Sequence, residues 1–305
     1  PSYGPLFHAA LGAPAELNSG LIIASVQNFT ELQTTTPHGL FSGSAVSYAN
    51  EVRFVASVLD ALTITVNAPF STTLGANGAL TSAITYKLST ALPSLTLYDY
   101  WDPATAVSRI VTGAAVESLA VSVNGDYHEF VFNGPAADLL DSSSDISGNA
   151  GSSSFPEEPG LQDFNYSIVP GHLGQMWLGS PANQFFTLTE ASIGVSNSID
   201  VRNSEFGSSY PRAITPGMRV VSSHFTLLAQ DDTQTTALYA AAKQRNPIAA
   251  MLQLGQQQGQ LMGIFLPHMT LEIPNYKDSE TRLLWEFNHN RAQGSSDDEI
   301  SIAFA

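Results

Sequence analysis

Short runs that alternate apolar and polar residues recur along most of the chain, and they predict strands. Glu51–Val58 (EVRFVASV) and Leu62–Val66 (LTITV) alternate on either side of Leu59-Asp60-Ala61, which is short enough for a hairpin turn. Ser118–Val123 sets Leu119, Val121 and Val123 against Ser118, Ala120 and Ser122. Phe130-Val131-Phe132 follows, and Asn124-Gly125-Asp126 between the two runs has turn chemistry. Leu21–Val26, Phe185–Ile193, Met218–Ala229, Met269–Ile273, Arg282–Phe287 and Glu299–Phe304 also read as strands. Helical signal is confined to Leu6–Leu11 (LFHAAL) and Thr235–Lys243 (TTALYAAAK), the second rich in alanine with Pro247 beyond its end. The expected class is mainly β (α+β), built of β-sandwich units that each carry a short flanking helix.

Two stretches break the pattern. Asp138–Gly160 is rich in Ser, Asp, Gly and Pro and reads as an exposed linker. Ser196–Pro216 is polar, flanked by strands, and reads as a long hairpin loop, a length that compact domains mostly keep for functional loops.

On either side of the linker the order helix, strand, glycine, strand, turn, strand recurs. Gly113–Val123 matches Gly263–Ile273 at a constant offset, with Val116/Leu266, Leu119/Met269, Val121/Leu271 and Val123/Ile273 as apolar pairs. The expected organisation is a first domain over 1–140, a linker over 141–160 and a second domain over 161–305, with a small β module inserted at about 34–71. A chain with two similar faces would build rings whose pseudo-symmetry is twice their true symmetry.

Composition narrows the function classes. The 305 residues include no cysteine, which excludes disulfides, thiolate metal sites and cysteine nucleophiles. Charged residues make up 12%, about half the usual share, and the balance of 11 basic against 27 acidic residues gives −16. Residues 1–150 hold three basic and twelve acidic residues (−9), and 151–305 hold eight and fifteen (−7), so both halves are acidic. Too few scattered Lys and Arg are present for a phosphate-binding surface. The small uncharged polar residues that replace them suit surfaces that neighbours cover. No run of 18 apolar residues exists and no signal-peptide pattern opens the chain, so membrane insertion is not expected.

No catalytic constellation emerges, and no enzyme, cofactor or metal is expected. The seven histidines show no metal-ligand spacing. Gly39-Leu40-Phe41-Ser42-Gly43 has the wrong register for a nucleophile elbow. Asp141-Ser142-Ser143-Ser144-Asp145 begins like a calcium loop, but Ile146 occupies the position of its glycine.

Leu283–Asn288 (LLWEFN), a loop, and Asp298–Phe304 (DEISIAF) resemble the closing strands of the tail tube proteins of siphophage-type bacteriophages. The order of Met218–Ala229, the helix at Thr235–Lys243 and Gln260–Ile273 is similar to that family's core, and PHGLFSG…NEVRFVASVLDALTITVNAPFS resembles a module inserted in some two-copy tube proteins. The resemblance implies a homo-oligomeric structural subunit of the virion tail, assembled in the host cytoplasm. Trimeric rings of about six similar units would stack into a tube, contact other tail proteins and pass double-stranded DNA without binding it specifically. It further implies that the long loop reaches the next ring through Asn197, Asp200, Arg202, Glu205, Tyr210 and Arg212, and that Asp297, Asp298 and Glu299 face a channel or a ring junction. Two alternatives stay open: another ring-forming tail protein (terminator or distal tail), or a secreted β-sandwich carbohydrate-binding or adhesin protein using Tyr98, Tyr100 and Trp101.

Overall fold

The computed structural model describes residues 3–17, 20–101, 107–141, 169–179, 182–203, 205–207, 210–279, 282–295 and 297–305. The expected linker therefore lies, apart from Asp141, outside the described residues, as does the calcium-like stretch beyond Asp141.

In chain order the first half runs α1 (Gly4–Ala10), β1 (Pro14–Leu17), β2 (Leu21–Gln27), β3 (Glu31–Thr34), β4 (Ala45–Tyr48), β5 (Glu51–Val58), β6 (Thr63–Val66), β7 (Ala79–Leu80), β8 (Ala83–Lys87), β9 (Leu95–Trp101), β10 (Val107–Ala114), β11 (Ser118–Asn124), β12 (His128–Asn133) and β13 (Asp138–Asp141). The second half runs β14 (Gln175–Leu178), β15 (Asn183–Phe185), β16 (Leu188–Ser196), β17 (Asp200–Arg202), β18 (Ala213–Thr215), β19 (Val220–Leu228), α2 (Thr233–Gln244), β20 (Ile248–Leu254), β21 (Met262–Thr270), β22 (Asn275–Ser279), β23 (Arg282–Ala292) and β24 (Ser301–Phe304). The fold is mainly β with antiparallel pairing, as the alternation predicted.

The largest sheet has thirteen strands and folds over on β21. One limb runs β15-β14-β20-β21-β24-β8-β1, and the other leaves the end of β21 as β23-β19-β16-β11-β12. Their inner faces share one core: Met176, Leu252 and Ile264 come from the first limb, and Leu119, Val121, Ile193, Phe225 and Phe287 from the second. β11 pairs with β16 in the register Ser118↔Ser196, so strands from both halves of the chain are hydrogen-bonded neighbours in that sheet.

α1 plugs a gap between the limbs, and α2 packs onto the same core. Phe7 of α1 is fully buried, with ring centroids 5.0–5.8 Å from Tyr86 on β8, Phe304 on β24, and Phe130 and Phe132 on β12. α2 is capped by the Asp232 carboxylate, which accepts a 2.6 Å bond from the Thr235 amide. It sets Leu238 and Ala242 into the core and Tyr239 against Trp285. A gap of about 480 Å³ remains between β12 and β1, lined by Glu16, Ile84, His128 and Phe130 among others. Burial holds the His128 imidazole below its usual range, against a hydrogen bond to the backbone of Val169 that favours its charge, and its Nδ1 has no partner.

The inserted module is larger than 34–71. Its six strands run β4-β5-β6-β3-β2-β7 over 21–80, around a separate core of Ile23, Leu32, Val46, Val55, Ile64 and Phe70. The apolar run 21–26 belongs to this sheet because Val26 pairs with Leu32, a contact that sequence spacing alone does not reveal. Phe54 of β5 stacks on Phe265 of β21, 5.3 Å apart, and fits there because position 263 is a glycine: a Cβ would lie 2.9 Å from the Phe54 ring. Beside it, Arg53 is 1% exposed. Its guanidinium is ion-paired with Glu51, donates to the Val52 carbonyl (2.7 Å), the Pro69 carbonyl (3.0 Å) and Gln253 Oε1 (3.2 Å), and lies 4.3 Å from the Trp177 ring. Burial lowers its pKa to about 10, only partly offset by Glu51.

Two outcomes follow from these buried groups. Glu51→Ala strands the Arg53 charge and costs about 3–5 kcal/mol in urea denaturation, whereas Glu51→Leu with Arg53→Met costs less than the single change. The depressed His128 pKa means the unfolded chain takes up the proton first. Its contribution to stability is complete above the unfolded value and is lost as pH falls through about 6.5. The urea midpoint should drop over that window, and His128→Phe should flatten the drop.

Candidate assembly surface

The Ser196–Pro216 stretch is a hairpin, and it contains strands of its own. β16 and β19 pair from Leu188↔Leu227 to Ser196↔Val220, and beyond them β17 and β18 form a two-stranded ribbon with Val201 opposite Ile214. The ribbon bends at its root, where Ser198 takes a left-handed φ of 45° and Gly217 sits 2.5 Å, at its Cβ position, from the Ser198 carbonyl.

The expected contact residues divide into two groups. Asn197 is 2% exposed, and its amide donates to the carbonyls of Ala10 (2.9 Å) and Val116 (3.0 Å). It fastens the ribbon root to the end of α1 and to Val116 just ahead of β11. Asp200, Arg202, Glu205, Tyr210 and Arg212 lie on the ribbon and its tip. Glu205 is ion-paired with Arg202 and lies 3.4 Å from Arg212 Nε, and with Asp200 counted the ribbon carries no net charge. Being exposed, these pairs hold the tip's shape and contribute about 0–1 kcal/mol each. Phe206, which the sequence reading passed over, is fully exposed beside them, and Tyr210 is 55% exposed.

The three acids near the C-terminal strand also have partners. Asp297 is ion-paired with Arg219, the residue before β19, and Glu299 lies 4.0 Å from the same guanidinium. Arg219 also donates to the Ser89 carbonyl at 3.1 Å. Asp298 accepts from the Ser295 amide at 2.7 Å and shapes that turn. Asp297 and Glu299, through Arg219, tie the segment ahead of β24 to the ribbon root, and this cation is too far in sequence from the acids for spacing to reveal it.

A second projection leaves the same end of the sheet. β10 leads into β11 and β12 leads into β13, and β10 pairs with both β13 and β9 to make a three-stranded sheet. Gly113, at φ +62°, sits in the irregular stretch where β10 turns into β11. Register puts Leu97, Val111 and Leu139 in one row and Tyr98, Ile110 and Leu140 in a row on the opposite face. None of the six is buried, and Leu97, Tyr98 and Leu139 are 42%, 49% and 58% exposed. Tyr98, Tyr100 and Trp101, the aromatic cluster of the carbohydrate-binding alternative, lie on β9, the outer strand of this small sheet among the described residues. The Trp101 side chain lies outside the described residues, and Tyr100 is half-buried.

Among the described residues no three His, Asp or Glu side chains gather as a metal-binding group, and no helix is long and apolar enough to cross a membrane.

No protein-family model and no curated protein matches the chain. Among solved structures, the SPP1 tail tube determined by solid-state NMR and cryo-EM aligns over 41% of this chain and 78% of its own, at 13% identity and a TM-score of 0.32.

The geometry separates root from tip. Asn197→Ala leaves two buried carbonyls unpaired and should cost about 1–3 kcal/mol by urea denaturation. Phe206→Ala should stay within about 0.5 kcal/mol of the parent.

Proposed function

We propose that the chain is a structural subunit of a phage-like tail, a tube protein that forms rings and stacks them. One observation carries the reading: the β9-β10-β13 sheet has an apolar row on each face, and neither row is buried within the chain. A three-stranded sheet of this kind needs a hydrophobic cover to be stable, and among the described residues β9 and β13 are its outermost strands, where a further strand could add. Neighbouring copies in a ring meet both needs, because strand addition extends a sheet and closure removes its edges.

The other features fit the same role. The β17-β18 ribbon, with its self-neutralised charges and exposed Phe206 and Tyr210, is suited to reach a copy in the next ring. The acidic balance of −16 suits a conduit through which DNA passes, since each Lys or Arg on phosphate adds affinity and hence friction. No catalytic step or cofactor is assigned to the chain. Trimeric rings, a DNA-filled lumen, virion location and contacts with other tail proteins belong to this proposal and rest on the sequence resemblance.

Negative-stain electron microscopy tests it. The parent protein should show rings or tubes. Leu97→Glu with Leu139→Glu should abolish them while leaving the far-UV circular dichroism unchanged. Phe206→Ser with Tyr210→Ser should leave single rings that no longer stack. Unchanged tubes in the Leu97/Leu139 variant would overturn the reading.

A further inference from the structure

The β2–β3 turn of the inserted module carries a feature that ring formation does not use. Its residues Asn28 and Phe29 both take left-handed backbone angles, φ 53° and 61°. Asn tolerates that region, but a bulky aromatic there is an outlier that glycine would relieve. The strained residue is also 77% exposed, so the strain is not repaid by burying the ring. Strain of this kind persists where a surrounding function requires it.

Phe29 forms one wall of a cavity of about 360 Å³, lined also by Val26, Asn28, Phe70, Thr72 and Leu74. Phe70 and Leu74 are each 8% exposed and make a fixed apolar floor. The hydroxyls of Thr72 and neighbouring Thr73 and the amide of Asn28 are exposed and make no hydrogen bond within the described residues, so their bonding capacity is unspent. Ser71 at the rim is already committed to Glu51. No ionisable side chain lines the cavity.

We infer that this cavity is a binding site for a neutral oligosaccharide, with Phe29 as the stacking platform. A sugar ring presents an apolar C–H face and a rim of hydroxyls, and the cavity offers one aromatic face beside two hydroxyls and an amide. The absence of lining charge disfavours an anionic or cationic ligand. A protein partner is disfavoured because Phe29 is the single strongly exposed apolar group here, whereas protein contacts centre on clusters of buried anchors. The site stands independently of ring assembly and places recognition of a glycan surface on the module.

The test uses the full chain and four probes, cellotetraose, maltotetraose, chitotetraose and the acidic tetragalacturonate, in saturation-transfer NMR and calorimetry. At least one neutral tetrasaccharide should bind at millimolar concentration or better, and tetragalacturonate should not. Phe29→Ala should weaken that binding about tenfold. Phe29→Gly should abolish it while raising the melting temperature by about 2 °C, because the turn is relieved of strain. This pairing separates the two roles, since a residue that served only the fold would not give lost binding with gained stability. The inference is overturned if no neutral tetrasaccharide binds, if tetragalacturonate binds better, or if Phe29→Ala binds like the parent. It is also overturned if the Phe29 variants change the sedimentation coefficient, which would make the turn a contact between copies.

Discussion

The structure depends on where backbone hydrogen bonds end. Each strand at a sheet margin carries donors and acceptors with no partner on one side, and these are costly to bury and hazardous to expose. The thirteen-stranded sheet folds on β21 and satisfies most of its strands internally, yet β12, β15, β22 and β1 remain outermost among the described residues. Phe7 fills the apolar gap between β12 and the β8–β24 limb, but an aromatic ring offers no hydrogen bond to a strand margin. The β9-β10-β13 sheet is more exposed still, with margins on both sides and unburied rows on both faces. In the assembly we propose, association between copies would satisfy the margins and the apolar rows together.

Charge is scarce in this chain, and much of what there is holds parts in place. Arg53, Glu51 and Gln253 tie the module to the main sheet through a buried network with aromatic rings around it. Arg219 ties the C-terminal loop to the root of the projecting ribbon through Asp297 and Glu299. Glu205 bridges Arg202 and Arg212 on the ribbon. Cations spent in this way are not available to bind phosphate, which suits the conduit role proposed for the chain.

Local pattern revealed the elements better than their partners. Both helices appear within two residues of the segments marked by Leu6–Leu11 and Thr235–Lys243, and the β11–β12 hairpin turns at Asn124–Asp126 as its residues imply. Partners distant in sequence were not legible: nothing near Gln253 announces Arg53, and nothing near Asp297 announces Arg219. The paired glycines of the apparent repeat show the difference. Gly113 marks an irregular strand end at positive φ, whereas Gly263 lies inside β21 and admits the Phe54 ring. Similar spacing there serves two different packing demands. The β17-β18 ribbon was legible as a long polar hairpin, but that Asn197 anchors it and that Phe206 is highly exposed on it were not, because exposure depends on where the hairpin bends.

The most direct measurement is amide hydrogen exchange followed across protein concentration, with sedimentation velocity on the same samples. The account predicts that amides of β9, β12 and β13 exchange quickly in dilute protein and gain strong protection as larger species appear, while amides within β16 and β19 stay protected throughout. Rapid exchange of β9, β12 and β13 at every concentration, with a single monomeric boundary, would contradict it.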